Sequence, residues 1–222
     1  MSSQVSLSSR LTIEVVYDFV CPWCYLGIRR LHFLLKRRQD LEVTLEWRPF
    51  LLNPDMPRAG MSRTDYLVRK FGAEDRARRM HATISELGMA EGVVFNFQAI
   101  RRTPDSVDAH RLVREAAKSG VAKALVGSIF EAHFVQGLDI GDSTVLASLA
   151  GRAGMDEDAA LLFLQQGEGT EQVYAENLRA HRLGINGVPC FIIGGEHAIS
   201  GAQEGEVLER LIDLAASTSR EY

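Results

Sequence analysis

The sequence predicts an α/β fold in which the two halves of one small sheet are separated by a block of helices. An apolar run at Leu11–Tyr17 and an alternating run at Leu41–Trp47 are both typical of strands. Strand character returns only at 190–193, and the Gly-Gly pair that follows predicts a hairpin turn. Helical patterns dominate from Ser62 to Leu183. The chain therefore combines a β-α-β half and a β-β-α half with a helical insertion.

In the first half, a helix from residue 22 to about Arg38 connects the two strands, which predicts a right-handed parallel unit. In the second half, His197–Ser200 is the expected hairpin partner. Gln203–Ala216 is the final amphipathic helix, and its side chains predicted to face inward are Val207, Leu208, Leu211, Ile212 and Leu214. We divide the chain into an N-terminal part of the α/β domain, an inserted helical domain and a C-terminal part of the α/β domain, at residues 1–60, 61–183 and 184–222.

The helical block contains several start and stop signals. Ser62 with Asp65 resembles a capping box at the start of one helix. A second helix is predicted over Ala73–Leu87, ending at Gly88. Thr103-Pro104-Asp105 combines a capping residue, a proline and an acid, and so predicts the start of another helix.

Two cysteines lie where the first predicted strand ends and a helix begins, in the segment Cys21-Pro22-Trp23-Cys24. This context is typical of a thioredoxin-like redox motif. The first N–H groups of a helix have no intrahelical partner and the macrodipole is positive there, so a thiolate at Cys21 is stabilised. Cys24 lies one turn further in and lacks this field. We predict that Cys21 attacks and Cys24 resolves the mixed disulfide, while Pro22 and Trp23 tune the reduction potential.

Composition and charge exclude several functional classes. With 25 basic and 29 acidic side chains among 222 residues, the net charge of −4 gives no basis for binding nucleic acid or an anionic membrane. No run approaches the roughly 18 apolar residues of a membrane span. Residues 1–10 lack a cationic segment followed by an apolar core, so no signal peptide is expected. Because the chain has only three cysteines, it suits a reducing compartment, and we predict a cytoplasmic protein.

Gly187-Val188-Pro189 directly precedes the returning strand and is the predicted second half of the site. A proline at a strand start either lies at a sheet edge or holds a cis turn, and the residues alone leave both open. A cis bond between Val188 and Pro189 would expose the Val188 backbone N–H and C=O. An extended substrate would then pair with Val188 as an added strand.

These motifs, in this order, resemble the DsbA-like thioredoxin-fold family over about residues 11–215. Finer similarities are to its FrnE-like subgroup, and they lie in Cys21-Pro22-Trp23-Cys24-Tyr25-Leu26-Gly27, Trp47-Arg48-Pro49-Phe50, Asp108-Ala109-His110-Arg111-Leu112, Asp139-Ile140-Gly141-Asp142 and Ile199-Ser200-Gly201-Ala202-Gln203. The resemblance implies a thioredoxin-like fold, thiol–disulfide oxidoreductase activity, a cis proline at Pro189 and catalytic cysteines at Cys21 and Cys24.

One departure from the resemblance concerns the proton of Cys24. Thioredoxins usually carry a buried carboxylate six residues before the first cysteine, and here that position is Val15. Asp18 is a candidate proton acceptor, and the alternative is that it caps the loop. Glu14 is expected on the face opposite Val15, because strand side chains alternate.

Other candidate residues each have a structural alternative. Cys190 follows the proposed cis proline, so we expect it near the cysteine pair. It is either a third redox thiol or, in the favoured interpretation, a small buried apolar residue. His110 either faces the groove or, as favoured, satisfies a buried hydrogen bond. An apolar rim for substrate is predicted from Phe19, Trp23, Tyr25 and Val188, although Phe19 is also a core candidate. A metal site is not expected, since structural zinc needs four ligands.

The sequence features are compatible with three functions. The favoured one is protein thiol–disulfide exchange without a bound cofactor, acting on disulfide- or dithiol-containing proteins or small thiols, with glutathione or thioredoxin as candidate electron partner. The second is a glutathione-dependent isomerase or transferase of the hydroxychromene-carboxylate isomerase or kappa-class type, which resembles this chain in fold but has a serine where Cys21 stands. The third is a redox-linked chaperone whose helical block presents an apolar surface.

Overall fold

The computed structural model describes residues 9–72 and 74–218, so most of the segment tested for a signal peptide, and Ala73 of the second predicted helix, lie outside the described residues. The described elements, in chain order, are β1 Ser9–Tyr17, α1 Pro22–Arg37, β2 Leu41–Pro49, β3 Met61–Ser62, α2 Arg63–Phe71, α3 Glu74–Ala90, β4 Arg102–Thr103, α4 Val107–Lys118, α5 Ala122–Phe134, α6 Ser143–Ala153, α7 Glu157–Gln166, α8 Thr170–Arg182, β5 Cys190–Ile193, β6 His197–Ser200 and α9 Gly205–Thr218.

The main sheet has the strand order β2-β1-β5-β6. Strand β1 pairs in parallel with β2, from Ser9 opposite Leu41 to Tyr17 opposite Pro49, and antiparallel with β5. Strand β1 occupies a central position, with Leu11, Ile13, Val15 and Tyr17 buried on one face and Val16 buried on the other. The predicted α/β class, with helices α2–α8 between the two halves of one sheet, is confirmed. The division into domains at residues 60 and 183 stays a prediction.

Strand β1 sends alternate side chains into two separate buried clusters. Ile13 and Val15 join the main core, together with Leu31 of α1 and Ile212 of α9. Val16 points to the other face and joins a smaller cluster that includes residues of α8 and β5. This alternation follows from the period of two in a strand, and it decides which residues can reach the cysteine pair.

The face of β1 that meets α8 carries a half-buried acid, Glu14, between two cations. Glu14 accepts hydrogen bonds from Arg48 Nε at 2.7 Å and from Arg179 Nη1 at 2.9 Å. Burial alone would raise the pKa of Glu14, but the hydrogen bonds from Arg179 and Arg48 outweigh it and hold that pKa below its ordinary value. The ion pairs of Glu14 with Arg48 and Arg179 therefore join β1, β2 and α8.

Arg111 of α4 is fully buried, and its side chain caps the C-terminal end of helix α7. Its guanidinium donates to the backbone carbonyls of Phe163 and Leu164, at 3.0 and 3.2 Å, and to that of Glu168, and it pairs with Asp108. The last carbonyls of a helix have no intrahelical donor, so Arg111 satisfies groups that would otherwise be buried without a partner.

Three predicted helix features are wrong. Helix α4 begins at Val107 rather than after Thr103, because Arg102 and Thr103 pair with Met61 and Ser62 in a two-stranded ribbon and are held extended. Helix α3 continues past Gly88 to Ala90; a Cβ at Gly88 would lie 2.6 Å from the Phe95 ring, so this glycine permits close packing and does not end the helix. In α9, Val207 and Leu214 are exposed, although the sequence predicts that both face inward.

The capping box is confirmed, since the Ser62 hydroxyl accepts a hydrogen bond from the Asp65 N–H at 3.1 Å. Among the described residues, no helix is both long enough and apolar enough to cross a membrane.

Candidate active site

Cys21 is the N-cap of α1. Its backbone is extended, and Pro22 begins the helix. The Cys21 carbonyl accepts hydrogen bonds from the N–H groups of Cys24 and Tyr25, and the Cys21 N–H donates to the Asp18 carbonyl at 3.1 Å. The sequence forms this turn because proline fits the first helical position and Asp18 closes the loop that leaves β1. The Cys21 sulfur therefore lies at the positive end of α1.

The segment before β5 lies beside Cys21. The Val188–Pro189 peptide bond is cis, which is the isomer that the family resemblance implies. The Cys21 thiol lies within hydrogen-bond range of the Val188 carbonyl, with 3.6 Å between Sγ and O. The Pro189 carbonyl accepts from the Gly201 N–H at 2.7 Å, which joins this segment to the end of β6. Val188 is half-buried and Pro189 is buried.

Cys24 lies beneath Cys21 and is fully buried. Burial raises the pKa of the Cys24 thiol well above its ordinary value, and the hydrogen bond with Cys21 raises it further. The charge of Asp18 acts in the same direction, whereas a backbone hydrogen bond from Asp18 opposes these effects. Cys24 therefore keeps its proton until a partner removes it.

Two residues of the predicted substrate rim belong to the core. The Phe19 side chain is 0% exposed and packs against Tyr17, His110 and Phe130. Tyr25 is also buried, and its ring stacks on Phe130 at 5.3 Å between centroids. These aromatic rings bury large apolar areas where the helical insertion meets α1, so the assignment of Phe19 and Tyr25 to substrate contact is wrong.

The other two predicted rim residues, Trp23 and Val188, are half-buried. Pro22 is also half-buried. The apolar surface open to a substrate next to Cys21 therefore comes from α1 and from the segment before β5.

Cys190 faces away from the cysteine pair. It pairs with Val16 across the sheet and lies in the smaller cluster, whereas its neighbour Phe191 belongs to the main core together with Cys21 and Cys24. Burial raises the pKa of the Cys190 thiol, and a hydrogen bond with Ser200 opposes this. The expectation that Cys190 lies near the pair is wrong, because successive side chains of β5 point to opposite faces.

Asp18 is a buried loop-capping acid. Its carboxylate accepts hydrogen bonds from the Leu52 N–H at 2.8 Å and from the Val20 N–H at 3.4 Å. His110 of α4 stands opposite, with 3.6 Å between His110 Nε2 and Asp18 Oδ1 and both side chains at most 1% exposed. Neither ring nitrogen of His110 has a hydrogen-bond partner among the described residues, so the favoured interpretation of a satisfied buried histidine is wrong.

Comparison with known proteins identifies the family. A family model described as a DSBA-like thioredoxin domain matches residues 12–213. The chain belongs to the DSBA-like thioredoxin domain family. A solved structure described as a probable DsbA oxidoreductase from Streptomyces coelicolor is 26% identical, with a TM-score of 0.83, and the match covers 92% of this chain and 89% of that one.

Two further solved structures share the fold of this DsbA-like chain. A 2-hydroxychromene-2-carboxylate isomerase is 18% identical, with a TM-score of 0.69, over 94% of this chain and 95% of that one. The cytosolic disulfide reductase DsbM from Pseudomonas aeruginosa, solved with GSH, is 23% identical, with a TM-score of 0.58, over 95% of this chain and 98% of that one. The thioredoxin-like fold of the DsbA family is thus shown.

One cleft of this DsbA-like protein was not predicted from the sequence. A cavity of about 250 Å³ lies between the loop after β2 and helix α2, and its lining includes Asn53, Tyr66, Arg69 and Lys70. Burial raises the pKa of Tyr66, and a hydrogen bond with Asn53 opposes this. No sequence motif marks the cleft, because its residues are brought together only by the packing of α2.

A larger cavity of about 700 Å³ runs along the edge of β2, and no cysteine lines it. No group of three or more possible metal ligands is found within the described residues.

Proposed function

We propose that this member of the DsbA-like family is a protein thiol–disulfide oxidoreductase that works by disulfide exchange through Cys21 and Cys24. The observation that carries the proposal is the arrangement of three groups. The Cys21 sulfur lies at the N-terminus of α1, the Val188 carbonyl is 3.6 Å from it, and Cys24 is buried one turn below. A nucleophile, a docking strand and a protected resolving thiol are the parts that exchange requires.

In the proposed reaction, the Cys21 thiolate attacks one sulfur of a substrate disulfide. A bond forms between Cys21 and that sulfur, and the other substrate sulfur leaves as a thiolate. Cys24 then loses its proton and attacks Cys21, which releases the second substrate thiolate and forms the Cys21–Cys24 disulfide. The substrate gains two electrons and the pair loses two. The reverse sequence oxidises a dithiol.

Substrate docking is assigned to Val188 and Pro189. The Val188 backbone lies beside Cys21, where an extended substrate chain would add to the end of β5 by main-chain hydrogen bonds. Half-buried Trp23 and Pro22 contact the substrate and tune the thiolate of Cys21. About 30 mV in reduction potential corresponds to roughly 1.4 kcal/mol, so small changes at these two positions alter the balance between oxidised and reduced forms.

The remaining assignments rest on sequence features. No cofactor other than the cysteine pair is required, and glutathione or thioredoxin is the electron partner that we propose. The motifs support the FrnE-like subgroup, and the low cysteine content supports a cytoplasmic location.

The test is reduction of insulin disulfides by a thiol donor, followed for the wild type, Cys21→Ser and Cys24→Ser. We expect Cys21→Ser to abolish the catalysed rate. Cys190→Ala is the matched control, because this cysteine is equally buried but faces the other cluster, and its rate should equal that of the wild type. Unchanged activity of Cys21→Ser would overturn the proposal.

A second candidate is glutathione-dependent isomerisation, which the fold likeness to 2-hydroxychromene-2-carboxylate isomerase favours. The cleft offers an anionic tripeptide the amide of Asn53 and the cations Arg69 and Lys70, while Asp55 in the same lining repels it. The intact cysteine pair argues against this function. Glutathione-dependent turnover that survives in the double variant Cys21→Ser, Cys24→Ser would support it, whereas loss of all turnover would exclude it.

A further inference from the structure

The turn between β6 and α9 holds the docking segment, Val188 and Pro189, from the side away from β1. The Gly201 N–H of this turn donates to the Pro189 carbonyl at 2.7 Å. The next carbonyl back along the docking segment, that of Val188, is the one that lies 3.6 Å from the Cys21 sulfur. The placement of the docking segment at Cys21 therefore depends on where the β6–α9 turn lies.

Arg30 of α1 joins that turn to the motif helix. Its Nη1 donates to the Ala202 carbonyl at 2.8 Å, and its Nη2 is 2.9 Å from Glu204 Oε1. Its Nε donates to Glu91 Oε1 at 2.8 Å. The Arg30 side chain is only 5% exposed, although it carries a charge. Each guanidinium nitrogen thus has a partner, and two of the three partners belong to the β6–α9 turn.

Gly27 lies one helical turn before Arg30, on the same side of α1. A Cβ at Gly27 would lie 3.0 Å from Pro189 Cγ and 3.3 Å from Ala202 Cα. The absence of a side chain at Gly27 therefore lets the turn and the docking segment approach α1 closely. Close approach alone does not fix them there, and the hydrogen bond from Arg30 to Ala202 supplies a directed contact at the same place.

We propose that Arg30 is a positioning residue for disulfide exchange, which fixes the docking segment at Cys21 by holding the β6–α9 turn against α1. The proposal deepens the disulfide-exchange function and rests on it. Arg30 acts through the Ala202 carbonyl and then through the hydrogen bond between Gly201 and Pro189. Its role is to keep the backbone that receives the substrate chain in register with the attacking sulfur.

An arginine suits this role for a geometric reason. Its planar guanidinium donates in fixed directions and can hold several groups at set separations, whereas the lysine ammonium is a compact point charge on a flexible stem. Glu91 follows α3 in the helical insertion and is itself mostly buried, with 23% of its side chain exposed. The ion pair between Arg30 and Glu91 therefore orients the guanidinium toward the turn from the opposite side.

The test compares a protein substrate with a small one. Insulin has a chain that can pair with the docking segment, and 5,5′-dithiobis(2-nitrobenzoate) does not. Arg30→Lys keeps the positive charge but has a single nitrogen, so it cannot hold all three partners. We expect kcat/KM for insulin to fall by about 10- to 100-fold, mainly through a higher KM. The rate of Cys21 with the small disulfide should stay within about threefold of the wild type.

Arg38→Lys is the matched control. Arg38 lies at the C-terminal end of the same helix and donates to Asp40 at 2.8 Å and to Asp213 of α9 at 2.6 Å, so it also joins α1 to a later part of the chain. It makes no hydrogen bond to the β6–α9 turn among the described residues. Its kcat/KM for insulin should equal that of the wild type. If Arg38→Lys lowers this value as much as Arg30→Lys does, general loosening of α1 is responsible and the proposal is wrong.

Hydrogen exchange of the Gly201 amide, followed by NMR, reports the tether without any substrate. Because this N–H is bonded to the Pro189 carbonyl, it should exchange about tenfold faster in Arg30→Lys and at the wild-type rate in Arg38→Lys. An unchanged Gly201 rate in Arg30→Lys, or an equal loss of activity with insulin and with the small disulfide, overturns the proposal. Failure of the exchange function itself would show separately, as absence of Cys21-dependent insulin reduction in the wild type.

Discussion

Gly27 of α1 controls how closely the motif helix approaches the segment that contains Pro189. A Cβ added at Gly27 would lie 3.0 Å from Pro189 Cγ, 3.3 Å from Ala202 Cα and 3.3 Å from Phe191 Cζ. None of these atoms is the end of a flexible chain, so the neighbours cannot move aside independently. Gly27→Ala should therefore displace the docking segment from Cys21.

The magnitude follows from two opposing effects. Replacing a glycine by alanine inside a helix stabilises it by about 0.8–1.0 kcal/mol. Adding a methyl group to a closely packed core costs about 1–3 kcal/mol. Because three rigid contacts would be compressed, the packing cost should exceed the helix gain, and Gly27→Ala should lower the free energy of unfolding by up to about 2 kcal/mol.

Gly127 of α5 is the matched control. It also lies inside a helix, but nothing stands within 4 Å of the position that its Cβ would occupy. Gly127→Ala should therefore raise the free energy of unfolding by about 0.5–1 kcal/mol, and the difference between the two variants isolates the packing cost. Urea unfolding measures the stabilities, and insulin reduction should fall several-fold in Gly27→Ala only. A Gly27→Ala variant as stable and as active as Gly127→Ala would refute this reasoning.

Two stability predictions concern buried charges. Arg111→Met should lower the free energy of unfolding by about 3–5 kcal/mol in urea, because it leaves the Phe163, Leu164 and Glu168 carbonyls without their donor and removes one of the two arginines that pair with Asp108. Arg78→Met, which breaks a pair exposed on both sides, should cost less than about 1 kcal/mol, and equal costs would contradict the role of Arg111. Glu14 has a lowered pKa in the folded state, so its contribution is present above the ordinary glutamate value of about 4.3 and is lost as the pH falls through the folded value. The stability difference between wild type and Glu14→Gln should thus be constant from pH 7 to about pH 5 and shrink at lower pH, whereas the exposed Glu206→Gln should show a small difference throughout.

Local signals in the sequence were sufficient for much of the fold. The apolar run of β1 predicted a central strand, and the parallel pairing followed from the helix between β1 and β2. The Gly-Gly pair located the β5–β6 hairpin. The predicted ends of helices were less accurate where segments distant in the chain pair. Thr103 has a good helix-start signal, but it pairs with Met61 in a strand and the helix begins later.

For the candidate site, the sequence identified the cysteine pair and Pro189 but not the surroundings of either. Phe19 and Tyr25 were expected at the surface because they flank the motif, and they are buried because the helical insertion covers them. Cys190 adjoins Pro189 in the chain but faces the other side of the sheet. The meeting of Asp18 with His110 could not be predicted, since no local pattern specifies how α4 packs on the loop after β1.

Trapping of a mixed disulfide tests the central claim most directly. Cys24→Ser is mixed with an oxidised substrate protein, digested without reductant, and the modified cysteine is identified by mass spectrometry. Disulfide exchange through the pair predicts that the adduct accumulates on Cys21, and that Cys21→Ser gives none. An adduct confined to Cys190, or equal trapping by Cys21→Ser, would contradict it.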